Sequence, residues 1–297
     1  ACERARQWEK ALALLDEMQA EGLDPDAISF NTAVSACAKA AQWEHALALL
    51  ETMKNDGPEP DLVSFNAAIA ACARAGQWQV ALSLLADIEA RDLAPDKISF
   101  GAAISACAEG AQWERALALL DDMPRRGIEP DVINFNAAIS ACEKGAQWER
   151  ALALLDVMRA NNVEPDVISY NSAIAACENG RQWEPALALL DDMLTRDIEP
   201  NVICFNAAIS ACEKGAQWER ALTLLRILMP ARGVAPDEIS FNAVIAACEG
   251  AGKRAEALEA YDEACEHGYG AQGKIAESGL TLDVRHLPGA VAVVAVV

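Results

Sequence analysis

Apolar positions along the chain follow two nested rhythms. In the segment 132–166, Ile133, Phe135, Ile139 and Cys142 lie along one helical stretch. Trp148, Ala151, Leu152, Leu155 and Met158 then form a second stripe with steps of three and four, the spacing of one helix face. This predicts a first helix capped by Asp131 and closing at Gly145, and a second from near Gln147 to near Asn162. Gly22, Gly57, Asp92, Gly127, Asp197 and Gly233 stand where Asn162 does, and all these types tolerate the left-handed conformation that ends a helix. The Pro–Asp that follows stops one helix and starts the next.

The slower rhythm has a period of 35 residues, set by Trp8, Trp43, Trp78, Trp113, Trp148, Trp183 and Trp218. Pro25, Pro60, Pro95, Pro130, Pro165 and Pro200 keep the same step, and Pro236 is displaced by one inserted residue. Such self-similarity overrides the ordinary domain count for 297 residues. It predicts an all-α solenoid of stacked helix–turn–helix repeats, each burying its faces on its neighbours. Complete repeats are framed as 27–61, 62–96, 97–131, 132–166, 167–201 and 202–237. Residues 1–26 end an earlier repeat, 238–270 form a degenerate last one, and 271–297 are a tail. Pro185 falls in a first helical turn, where proline is tolerated. The insertion near Met229–Pro230 is expected to bulge an outer loop.

Composition supports helices: 53% of residues are apolar, mainly Ala and Leu, and only 5% are aromatic. Cys2, Cys37, Cys72, Cys107, Cys142, Cys177, Cys212 and Cys248 follow the repeat and form no CxxC pair, which leaves no zinc motif. Stacked helices lie about 8–10 Å apart, beyond the roughly 7 Å a disulfide can span. The column therefore reads as small buried hydrophobes with free thiols. A net charge of −21 argues at first sight against nucleic acid. Its placement changes the picture, because the first helices are almost neutral and the acids sit on second helices and loops. If the first helices line the inner face, an acidic outer layer does not forbid an anionic ligand there.

The first helix carries an exposed stripe, Ile28, Asn31, Ser35 and Lys39 in the repeat from 27. Asn66, Asn136, Asn171, Asn206 and Asn242 repeat the amide, and Arg74, Lys144 and Lys214 repeat the cation. Asn is a poor helix former, so its recurrence asks for a reason. Two readings stand: a structural ladder bonding across repeats, or amides that read base edges with a donor and an acceptor. Each capping Asp likewise serves its helix alone or a ligand too, and the cations serve solubility or phosphate.

At VINFNAAISACEKG, QWERALALLDVM and IEPD the chain resembles a pentatricopeptide-repeat protein, over about nine tenths of its length. Tetratricopeptide repeats have period 34 and their Trp in the first helix, whereas here Trp opens the second. The resemblance implies single-stranded RNA as partner, one nucleotide per repeat, usually in mitochondria or chloroplasts. It places base recognition on the pairs Asn31 with Asp61, Asn66 with Asp96, Asn136 with Asp166, Asn171 with Asn201, and Asn206 with Asp237. In the family, Asn with Asp favours U and Asn with Asn favours C. Gly101 replaces the amide in the pair with Asp131, so that base is expected to be read poorly, and Asn242 has no closing Pro–Asp. Base wedging falls on Ile28, Val63, Ile98, Ile133, Ile168, Ile203 and Ile239, and phosphate contact on Lys39, Arg74, Lys144 and Lys214. Glu109 and Asn179 replace the cation in two repeats.

From Leu280 the tail resembles the start of a small MutS-related domain, with Asp283, Val284 and Arg285 at its Asp–x–His signature and His286 one place late. The three histidines, His45, His267 and His286, join no catalytic or metal constellation, so neither an enzyme nor a cofactor is expected. The expected molecule is a monomeric, pyrimidine-preferring RNA binder without a membrane segment, whose targeting segment is not in this chain. Other RNA-processing proteins are further partners on that reading. Its rivals are a protein-binding scaffold and the RNA-binding half of a nuclease.

Overall fold

The computed structural model describes residues 2–269, with side chains from Trp8 onward. Among the described residues all regular structure is helical. No helix among them is long and apolar enough to cross a membrane. The resemblance at Leu280 and beyond lies outside the described residues. Contacts divide the chain into two compact units, one up to Gly145 with Val157–Val163, the other Ala146–Asp156 with Glu164 onward.

In the first unit the first helices are Ala27–Lys39, Leu62–Arg74, Lys97–Glu109 and Val132–Lys144, each of 13 residues. Trp43–Asp56, Trp78–Ala90 and Trp113–Arg125 are their second helices. In the second unit Val167–Asn179, Val202–Lys214 and Glu238–Gly250 are again 13 residues each. Within each unit a first helix packs on the first helix of the next repeat and on the second helices around it. Buried alanines such as Ala68, Ala71, Ala103 and Ala106 allow that close approach, while Phe65, Phe100, Met53, Ile88 and Met123 fill the space between layers. Nine cysteines among the described residues form no disulfide, and eight of them are buried. Burial pushes the thiols up, to about 11 at Cys72 and Cys107 and about 12 at Cys177, so they are poor nucleophiles.

Two expectations need correcting, those at Gly57 and at the inserted residue. Gly57 is extended (φ −121°), not left-handed. Elsewhere the residue after the left-handed one donates its N–H back into the helix, as Leu93 does to Ile88 and Ile128 to Met123. After Gly57 comes Pro58, which has no N–H to give and disfavours a helical residue before it.

Gly110, Gly145, Gly180 and Gly215 end first helices with ordinary negative φ. The left-handed residues are the next ones, Ala111, Ala146, Arg181 and Ala216. Glycine is there for space. A Cβ on Gly145 or Gly180 would come within 2.5 Å of Cδ1 of Trp113 or Trp148, the tryptophan of the preceding repeat.

The inserted residue does not bulge a loop. It is absorbed inside the second helix as a π-helical stretch, Leu224–Leu228, between Trp218–Thr223 and Met229–Ala231. One wider turn keeps Ala221, Leu225 and Met229 all buried, so the core is preserved at the cost of regularity. Pro185 sits in the first turn of Trp183–Thr195, as expected.

Candidate nucleic-acid interface

The thirteen-residue first helices begin with a uniform device. Asp61, Asp96, Asp131, Asp166 and Asp237 are N-caps, each in a reciprocal capping box with the third helical residue. Their carboxylates do more than cap. Asn31 Nδ2 donates to Asp61 Oδ1 at 3.1 Å, Asn66 Nδ2 to Asp96 Oδ1 at 3.2 Å, and Asn206 Nδ2 to both Asp237 oxygens at 3.0 and 3.2 Å. Three of the five pairs assigned by resemblance are thus hydrogen-bonded neighbours, 30 or 31 positions apart in sequence. The ladder reading and the recognition reading name the same atoms.

Burial raises the Asp61, Asp96 and Asp237 carboxyls, but hydrogen bonds from the following Ser and from the Asn amide outweigh it and leave all three below the usual carboxylate value. Each stays ionised at neutral pH and keeps an acceptor oxygen. Beside each pair stands an aliphatic residue left in water. Ile28, Val63, Ile98, Ile133, Ile168, Ile203 and Ile239 expose between 59% (Val63) and 74% (Ile28) of their surface. Seven exposed aliphatics at one register cannot serve the core, and their flat sides suit stacking against a base.

In the first unit Ile28, Asn31, Lys39, Asp61, Val63 and Arg74 line one cleft of about 1070 Å³. Every class of residue assigned by resemblance meets there. Further along, the cations are less available. Lys144 Nζ lies 2.7 Å from Glu109 and Lys214 Nζ 2.9 Å from Glu178, both acids of the preceding repeat. Arg74 donates to the Ala38 carbonyl at 3.0 Å but keeps its charge. The four cations are therefore not equivalent. Among the described residues no cluster of His, Cys, Asp or Glu could hold a metal ion.

Two repeats depart from the pattern. Gly101 is filled from the next repeat: a Cβ there would lie 2.9 Å from Asn134 Nδ2, which donates instead to the Lys97 carbonyl at 3.0 Å. Asn134 is 1% exposed, so its amide replaces the missing one in the packing without facing outward. Lys97 Nζ, 3.5 Å from Asp131, is the group that now accompanies that carboxylate. In the repeat 167–201, Asn201 caps through its side-chain oxygen, taking the N–H of Ile203 at 3.0 Å and of Cys204 at 3.1 Å. Its amide nitrogen is left for other partners.

The residue that sequence reasoning passed over is the third of each first helix. Ser64, Ser99, Ser169 and Ser240 are fully buried and keep the period, which was the available signal. They read as filler because serine in a helix carries no motif of its own.

No curated protein matches the chain. Among solved structures it is similar to the pentatricopeptide repeat protein PPR10 in complex with an 18-nucleotide psaJ RNA element, at 19% identity and TM-score 0.79, covering 90% of this chain. It is also similar to PPR10 from maize, at 25% identity and TM-score 0.62, covering 89% of this chain. This chain spans about two fifths of the length of those proteins, 39% and 43%. The likeness shows an all-α helical-repeat solenoid. A pentatricopeptide repeat domain model matches residues 13–75, 48–110, 83–145 and 118–181. Models of the same repeat match 165–214, 1–23 and 239–269. With these matches lying over the Asn, Asp and Ile columns, the chain belongs to the pentatricopeptide-repeat family.

Proposed function

We propose that this chain binds single-stranded RNA along its first helices, one base per repeat, in the register 5′-U-U-n-U-C-U-3′ across residues 27–237. The observation that carries the reading is the Asn–Asp pair across a repeat boundary beside an exposed aliphatic. The Asn amide offers N–H and the Asp carboxylate an acceptor, which complement the adjacent C=O and N–H of a uracil edge. Asn201 changes the acceptor to an amide that donates, matching the ring nitrogen of cytosine. The PPR10 structure with bound RNA supports the same ligand class. On this reading the protein is a non-catalytic monomer acting in organellar RNA processing, stability or translation, with phosphate held by Lys39 and Arg74, and by Lys144 and Lys214 where Glu109 and Glu178 give them up.

Binding of labelled polyU and polyA tests the ligand: polyU bound at least tenfold tighter supports the reading, and equal or absent binding refutes it. The acid-rich second helices favour a protein-binding scaffold as the second reading, and that reading gains if neither RNA binds.

A further inference from the structure

At three first helices the buried serine of the third position bonds across the repeat boundary. Ser64 Oγ donates to Asn31 Oδ1 at 2.6 Å, Ser99 Oγ to Asn66 Oδ1 at 2.6 Å, and Ser240 Oγ to Asn206 Oδ1 at 2.5 Å. The hydroxyl also reaches its own capping Asp, but at the longer 2.9 and 3.0 Å. It has one proton, and the shorter contact marks where it goes. With the amide oxygen tied inward, the amide nitrogen must face the carboxylate, as the Asn–Asp bonds record. An amide held at both ends cannot turn over, so what it offers a ligand is always N–H.

The junction of repeats 167–201 and 202–237 lacks the latch, as does the one at Gly101, where there is no Asn to hold. Cys204 replaces the serine, and Asn171 Oδ1 is buried without a hydrogen-bond partner. A thiol is a weak donor, and the Asn201 oxygen can only accept. An unsatisfied buried carbonyl destabilises this orientation relative to a bonded one, while the turned amide would bring its oxygen outward.

We infer that the third residue of each first helix positions the base-reading Asn of the preceding repeat, and that Cys204 releases Asn171 to present its oxygen. This rests on the RNA-binding reading and deepens it. With the Asn171 oxygen outward and the Asn201 amine beside it, the junction accepts from an exocyclic amine and donates to a ring nitrogen, the cytosine pattern. A serine at 204 would latch Asn171 and present N–H instead, which meets the carbonyl of uracil and opposes the exocyclic amine of cytosine. Cys204 is thus a positioning residue for the fifth base, although it never faces the ligand.

The test compares wild type with Cys204→Ser, Cys204→Thr and Cys204→Ala by two readouts. The first is competition between RNAs that differ only in C or U at the fifth base. The C-over-U ratio should fall about fivefold, the scale of one hydrogen bond, in the Ser and Thr variants and stay at the wild-type value in Ala. The second is the melting temperature without RNA, which should rise in Ser and not in Ala because only the hydroxyl satisfies Asn171. A ratio unchanged in Ser, or moved equally in Ala, overturns the positioning role even if the melting temperature rises. An unchanged melting temperature in Ser overturns the latch itself. If no variant binds RNA, the proposed function fails and takes the specificity claim with it, and the melting temperatures still decide the latch.

Discussion

The first and second helices differ in how much irregularity they absorb. Every complete first helix has 13 residues, and Asp or Asn caps each one through its side chain. Second helices are looser. One runs to 14 residues and meets an extended Gly57, another carries a π-turn, and the N-cap glutamines Gln42, Gln77, Gln112, Gln182 and Gln217 make no side-chain cap bond. Apolar contacts hold the second helix, and such contacts are non-directional, so a shifted turn costs little if the same side chains stay buried. Hydrogen bonds hold the first helix across the repeat boundary, and these are directional, so length and register cannot drift. The rigid layer is the one that carries the residues proposed to read bases.

Acid should separate the layers with the largest effect. Asp26, Asp61, Asp96 and Asp237 all lie below the usual value of 3.8, Asp26 through the Ser29 hydroxyl and N–H and the others through Ser and Asn bonds that outweigh burial. A group with a lower pKa when folded stabilises fully above its unfolded value and loses that contribution as pH falls through the folded one. Stability should therefore fall progressively below about pH 4 as the caps protonate. Thermal melts from pH 7 to 2 check this, and a flat profile would remove the caps from the account.

A single cap comes next. Asp237→Ala removes the cap and the partner of the Asn206 amide together, so it should cost about 2–3 kcal/mol. Gln217→Ala, at the start of the second helix of the same repeat, should cost under about 0.5 kcal/mol, as surface changes usually do. Urea melts of the two variants measure the contrast, and equal losses would erase it.

Asn201→Asp should move the fifth base from C toward U by about 1–3 kcal/mol and leave the other positions unchanged. Competition among RNAs altered one base at a time reads this out. A change at every position would mean the variant disturbs the fold and not the pair.

A smaller effect lies in the cations. With Lys144 and Lys214 held by Glu109 and Glu178, two free cations give a log–log salt slope of roughly −1.4, against about −3 for four. Glu109→Gln with Glu178→Gln should steepen the slope toward the larger value and tighten binding a few-fold. An unmoved slope would show that these lysines do not meet phosphate. Deleting Ile227, which is exposed in the π-turn, should change stability by less than about 1 kcal/mol and leave base preference alone.

Much of this was legible in the sequence. The 35-residue period, the Asp caps, the second-helix stripe and the Asn and Ile columns could all be read because each is a local pattern repeated many times. What escaped depends on neighbours one repeat away. Gly145 ends its helix as read, but the room its missing side chain leaves for Trp113 shows only in the fold. Lys144 looked like a free cation, yet Glu109, visible as a departure in its own repeat, neutralises it. Ser64 and Asn31 are 33 residues apart, and no helical periodicity pairs them. Gly57 was misjudged for a local reason that was present, the following Pro58.

The central claim is that the Asn–Asp column reads bases in order along the chain. Fluorescence anisotropy with an oligonucleotide containing 5′-UUAUCU-3′, and with the same bases in reversed order, tests it most directly. The account predicts at least tenfold tighter binding of the forward sequence, since the second, third, fourth and fifth positions change while composition does not. Equal affinity for the two orders would contradict it, because charge and stacking alone do not distinguish them.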